Sequence, residues 1–177
     1  VLEPGRIELI LSKPLSRTHL LLGRFVGNVA VVALNTAYLV LGVWIIFGVK
    51  TNIWGRQFLW SILTTVFIFA VLLTVVVLIG VLFESAALAT MVTVGLMIVS
   101  PILAQTSTMM RLLSSETARD AWRLLYQVLP KVYDVGRMTL DLVRSQQVES
   151  LQPVYTSAMF GAAVLGAAIY VFTRRDF

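Results

Sequence analysis

One histidine, His19, and no cysteine occur in this 177-residue chain, which removes a large part of enzyme chemistry at once. An H-E-x-x-H zinc site needs two imidazoles on one helix face, and thiolate nucleophiles and ligands need Cys. The G-x-S-x-G elbow that exposes a nucleophilic serine is missing. So is G-x-x-x-x-G-K-[ST], whose backbone amides cradle phosphates. The chain is therefore expected not to be an enzyme and to bind no cofactor or metal directly. His19 reads as a polar residue at the start of a helix.

The residues left to do chemistry sit in long apolar runs. Ion-coupled transport needs ionisable groups at membrane depth, yet the run interiors hold no Asp, Glu, Lys, Arg or His. Arg24 and Glu84 stand at run ends, where long side chains reach the headgroups. Asn28 and Asn35 are seven apart, on one helical face. A buried amide in lipid needs partners, so this pair either bonds across helices or lines a translocation path. Small residues form two further patterns. Ala158, Ala162 and Gly166 repeat every four residues, and Gly23 with Gly27 makes G-x-x-x-G. Both let helix backbones approach closely. The first reads as packing within the chain, and for the second a dimer face is an alternative.

The elements that must hold these residues follow from composition. Hydrophobic residues make up 58% and charged ones 13%, against about 25% charged in a soluble domain; mean hydropathy is +0.88. A bilayer core about 30 Å thick needs about 20 apolar residues of helix. The runs at 25–49, 58–83, 86–104 and 154–173 qualify, so the expected fold is an all-α integral membrane bundle, a single transmembrane domain over 1–177. Glu84-Ser85 leaves almost no loop, which makes the second and third spans antiparallel neighbours. The net charge of +5 does not read as nucleic-acid binding. Lys and Arg flank the spans and anchor them to membrane lipid. The basic residues nearest the spans favour both ends on the cytoplasmic side.

The rest of the charge lies in 105–153. Within it Ser115 to Leu129 sets Ala118, Ala121, Trp122, Leu125, Val128 and Leu129 on one stripe, opposite Arg119, Asp120, Arg123 and Gln127. Val132 to Val143 repeats the pattern more weakly through Val135, Met138, Thr139 and Leu142. Both predict amphipathic helices at an interface or capping the bundle. Residues 1–22 are amphipathic as well: Ile7, Ile10 and Leu11 share a face, Arg6 and Lys13 point away, Pro14 should break the helix, and Ser16 or Thr18 can cap the next one, which runs into the membrane. Val1 rather than Met opens the chain, so further sequence is expected upstream. These features alone fit a transporter subunit, a non-transporting membrane scaffold, or an ATP-independent channel or secondary transporter.

Glu3-Pro-Gly-Arg-Ile-Glu-Leu-Ile-Leu-Ser-Lys-Pro-Leu-Ser-Arg17, followed by Leu-Leu-Leu-Gly23-Arg24-Phe, resembles the signature of type-2 ABC transporter permeases. The multicopper-enzyme-maturation branch is the most similar. Gly5-Arg6 stands where Gly-Thr is usual, and Arg24 where Lys is usual. The ending Phe172-Thr-Arg-Arg-Asp-Phe177 is similar to that family's F-x-R-R-D. The resemblance implies six spans in a full-length chain, two of them before Val1, and a permease subunit of an ATP-driven exporter in the cell membrane with both ends cytoplasmic. It implies two partners, a separate ABC ATPase carrying ATP and Mg, and a second permease copy or homologue. Residues 1–22 would be the cytosolic coupling segment that docks the ATPase, through Glu3, Gly5, Ile7, Glu8, Ile10, Leu11, Lys13, Pro14 and Arg17. Residues 105–153 would be extracytoplasmic.

Overall fold

The computed structural model describes residues 17–105, 109–110, 115–144 and 150–174. All regular structure among them is helical. In chain order it comprises α1 (Arg17–Thr51), a 3-10 turn (Arg56–Leu59), α2 (Trp60–Phe83), α3 (Ala86–Ala104), α4 (Glu116–Val128), α5 (Val132–Val143) and α6 (Gln152–Arg174). Four helices are long and apolar enough to cross a membrane: α1, α2 with its leading turn, α3 and α6.

α3 occupies the expected bounds, and α2 and α6 differ from them by a turn or less. α1 begins at Arg17, beside the candidate caps Ser16 and Thr18 and well ahead of the apolar run that opens at residue 25. Nothing between Thr18 and Arg24 breaks a helix, and helical hydrogen bonding does not stop at the bilayer edge. At 1.5 Å per residue its 35 residues make a rod of about 52 Å, far longer than the hydrocarbon core.

α2 is apolar on every side and forms the hub, packing against α1, α3, α5 and α6. Its core residues Val71, Leu72 and Val75 are buried. The buried threonines are satisfied locally: Thr74 donates to the carbonyl of Val71 at 2.7 Å, and on α3 Thr93 donates to Ala89 at 2.8 Å. This back-bonding is what lets Thr sit inside a dry bundle.

α6 runs parallel to α2. A Cβ on Gly161 would stand 3.5 Å from Val71 Cγ2, and Ser157, Gly161 and Ala168 form the buried face of α6. The expected packing stripe, Ala158, Ala162 and Gly166, is exposed instead. Two interleaved small-residue rows run along this helix, and the row containing Gly161 is the one that meets α2.

Two tight turns set the topology. After α2, Glu84 takes a left-handed conformation (φ 53) with its N–H on the Gly80 carbonyl, and Ser85 caps α3 by accepting the Leu88 N–H at 3.3 Å. A helix stop and a helix start thus occupy adjacent residues. Between α1 and α2, Asn52 is left-handed (φ 59), and Trp54 folds back onto α1. Its ring meets Trp44 edge-on at 4.8 Å, while Trp44 Nε1 donates to the Gly55 carbonyl at 3.2 Å. Gly48 makes room for this, since a Cβ there would lie 2.7 Å from the Trp54 ring.

The chain's four tryptophans, Trp44, Trp54, Trp60 and Trp122, all lie toward one end of the bundle, the connection face, where α1 and α3 finish and α2 and α6 begin. The terminal face opposite holds the start of α1, the Glu84-Ser85 turn and the end of α6.

Candidate functional site

At the connection face, Pro130 has no N–H with which to continue α4 and stops it; the Leu129 N–H closes that helix on the Leu125 carbonyl at 3.0 Å. The chain then turns inward, and both Pro130 and Lys131 are buried, Lys131 to 7% exposure. α5 starts there, with its first amides lacking partners inside the helix. Lys131, its N-cap residue, makes no side-chain cap. Two spans supply the caps: the Lys131 N–H donates to Ser157 Oγ of α6 at 3.0 Å, and the Tyr133 N–H donates to Ser100 Oγ of α3 at 3.0 Å. Further along, Thr139 Oγ1 donates to Thr64 Oγ1 of α2 at 2.8 Å. Val135, 1% exposed, fills the space between these contacts beside Phe67, Ile68 and Val71. α5 is therefore a wedge tied by one hydroxyl to each of three spans. α3 and α6 pack little on each other and are joined through α2 and this wedge.

The elbow is held from the α4 side by a second set of contacts. Tyr126 OH donates to Asp134 Oδ2 at 2.9 Å, and the Lys131 ammonium lies 4.3 Å from the centroid of the Tyr126 ring. Burial first, and then the Asp134 hydrogen bond and charge, push the Tyr126 phenol up to about 12, so it stays a donor well into alkaline pH. Asp134 sits in the first turn of α5, where the helix dipole favours a carboxylate. The crevice among Ser100, Tyr126, Lys131 and Asp134 holds about 10 Å³, room for one water and not for a transported molecule.

α4 itself is divided three ways. Ala118, Trp122, Tyr126 and Leu129 are half-buried toward the bundle. Asp120, Arg123 and Gln127 face away, and Ala121, Leu124, Leu125 and Val128 form an exposed apolar edge. The predicted stripe is thus split between two surroundings. Trp122 Nε1 is buried without a hydrogen-bond partner among the described residues.

α1 carries the other predicted candidates. Arg24, Asn28, Val31, Asn35 and Tyr38 line one exposed stripe. Asn28 and Asn35 share a face as expected, but neither hydrogen-bonds another span among the described residues. A Cβ on Gly23 or Gly27 would meet nothing within 4 Å. Of the docking residues, Glu3, Gly5, Ile7, Glu8, Ile10, Leu11, Lys13 and Pro14 lie outside the described residues, and Arg17 is the first residue of α1.

Composition and helical period do not reach the α5 anchors: nothing in the sequence singles out Thr64, Ser100, Tyr126, Lys131, Asp134 or Ser157. The one signal that points to them is Pro130 followed directly by Lys131 between two amphipathic segments. No curated protein and no solved structure matches the chain. The family model described as ABC-2 family transporter protein matches residues 2–177, and the chain belongs to this family, as a multi-pass membrane component of an ABC transporter.

Proposed function

We propose that this chain is the permease subunit of an ATP-driven exporter, coupling a separate ATPase to movement of a substrate across the cell membrane. The observation that carries the reading is α1. One uninterrupted helix begins next to the docking motif at residues 3–17 and carries an outward stripe of Arg24, Asn28, Asn35 and Tyr38. Amide side chains facing lipid are costly, so the stripe fits a second permease copy across a shared path. A push on the docking segment would travel along α1 without passing a break in the helix.

In this reading the terminal face is cytoplasmic and receives the ATPase, which holds ATP and Mg. The motif's likeness to the multicopper-maturation branch agrees with a cytoplasmic start. α4 and α5 then lie outside and cover the exit, with the exposed edge of α4 in the outer lipid boundary. The path runs between two chains, consistent with the crevice at the elbow being too small for cargo. Rigid-body rocking of the spans alternates the opening.

Co-purification of the full-length chain with ATPases encoded beside it tests the reading. A stoichiometric ATPase is expected to accompany the wild type and to be lost from Ile10→Asp, with membrane insertion unchanged. An Ile10→Asp chain that retains its ATPase would remove the docking assignment. A wild type that binds no ATPase would favour a membrane scaffold.

A further inference from the structure

The amides that open α5 are capped by two different spans, and this gives the elbow a property beyond covering an exit. We infer that Ser100 and Ser157 are positioning residues that make the first turn of α5 respond to the separation of α3 from α6; the inference rests on the transport reading above. Each Ser hydroxyl accepts one of the orphan N–H groups at 3.0 Å. Hydrogen bonds of this kind are lost beyond about 3.5 Å. Because α3 and α6 pack mainly on α2 rather than on each other, their spacing at this level is set through α2 and the wedge. A relative shift of about 1 Å, within the range of helix shifts in switching proteins, breaks one cap while leaving Val135 seated.

The consequence passes outward. Asp134 lies in the same first turn and holds Tyr126 of α4, so loosening that turn releases α4 as well. Both caps engaged describe a closed elbow, and one cap lost describes an elbow free to lift. The caps thus convert a small change between spans into an all-or-none change at the connection face.

The test uses the full-length chain with its partner ATPase in lipid nanodiscs. Two readings are taken with and without a non-hydrolysable ATP analogue. One is hydrogen exchange at the Lys131 and Tyr133 amides. The other is the distance between spin labels at Met97→Cys and Met159→Cys, with any Cys upstream of Val1 replaced, since residues 1–177 hold none. The analogue is expected to lengthen the label distance and to speed exchange at both amides about tenfold, the effect of losing one helix cap. In Ser100→Ala with Ser157→Ala, exchange should already be fast without nucleotide and change little on adding it. Ser100→Thr with Ser157→Thr, which keeps both hydroxyls, should restore the nucleotide response; a purely structural role would alter melting without altering that response. If the double Ala chain does not fold, Ser100→Ala alone carries the test, with the response lost at Tyr133. Labels that separate while α5 stays protected would overturn this inference alone. Labels that do not move would also overturn this inference, while the transport reading would still stand or fall on the ATPase co-purification.

Discussion

α4 and α5 are neighbours of similar length, joined by an elbow, and in sequence α4 has the cleaner amphipathic pattern. The structure inverts the ranking. No residue of α4 is fully buried, and Leu125 and Val128 are 50% and 62% exposed, whereas α5 buries Val135 and meets hydroxyls from three spans. In water a strong amphipathic pattern marks a helix lying on a core. Beside a membrane it marks a helix divided between water, lipid and protein, and a weaker pattern marks one enclosed by other helices. α5 is the better buried because small hydroxyls on its neighbours satisfy its backbone.

The sharpest way to break this contrast is to place a charge on each helix. Val135→Asp should destabilise the bundle by at least about 4 kcal/mol, since the carboxylate would enter the apolar space beside Phe67, Ile68 and Val71. Leu125→Asp should leave the melting temperature in detergent nearly unchanged. Equal losses in the two variants would deny the difference.

The same contrast can be drawn along α6. Gly161→Leu drives a side chain into Val71 and should cost about 3 kcal/mol. Gly166→Leu, on the exposed row, should cost under about 0.5 kcal/mol in the isolated chain. A reversed order in melting curves would return the packing face to the row with Ala158 and Ala162.

A smaller effect is expected at the elbow. Tyr126→Phe removes the hydrogen bond to Asp134 and should cost about 1 kcal/mol. The phenol is raised in the folded state, so its contribution is fully present below its ordinary value near 10. It is lost as pH rises through the folded value of about 12. Wild-type stability should therefore fall between those limits by more than that of Tyr126→Phe, as read by phenolate absorbance alongside melting.

The smallest effect concerns the outer edge of α4. Leu124→Gln should change stability by less than about 0.5 kcal/mol while reducing quenching of Trp122 by brominated lipid. Unchanged quenching would show that this edge does not rest in lipid.

The spans were legible because a long apolar run has few alternatives: Ala86 to Ala104 is bounded by Ser85, a cap, and Gln105. The start of α1 was legible only from its capping residues, because hydropathy reports the bilayer edge and Leu20 to Gly23 continue a helix beyond it. The shared face of Asn28 and Asn35 follows from helical period alone. The packing row on α6 does not, since Ser157-Gly161 and Ala158-Ala162 differ by one position and are chemically alike. The caps on α5 were hidden for a related reason. A hydroxyl in a span can turn back to its own helix, as Thr93 does, or reach another, as Ser100 does, and the sequence reads the same.

The one-sided placement of the tryptophans makes the chain its own optical probe. Trp44, Trp54, Trp60 and Trp122 all belong to the connection face, and Trp44 and Trp54 touch. Within residues 1–177, tryptophan fluorescence therefore reports that face alone. In the orientation proposed above, an ATPase free of tryptophan that docks on the terminal side can change the emission of these four only through the protein between them. A spectral shift on nucleotide addition, with no label attached, would time the arrival of that signal across the bilayer.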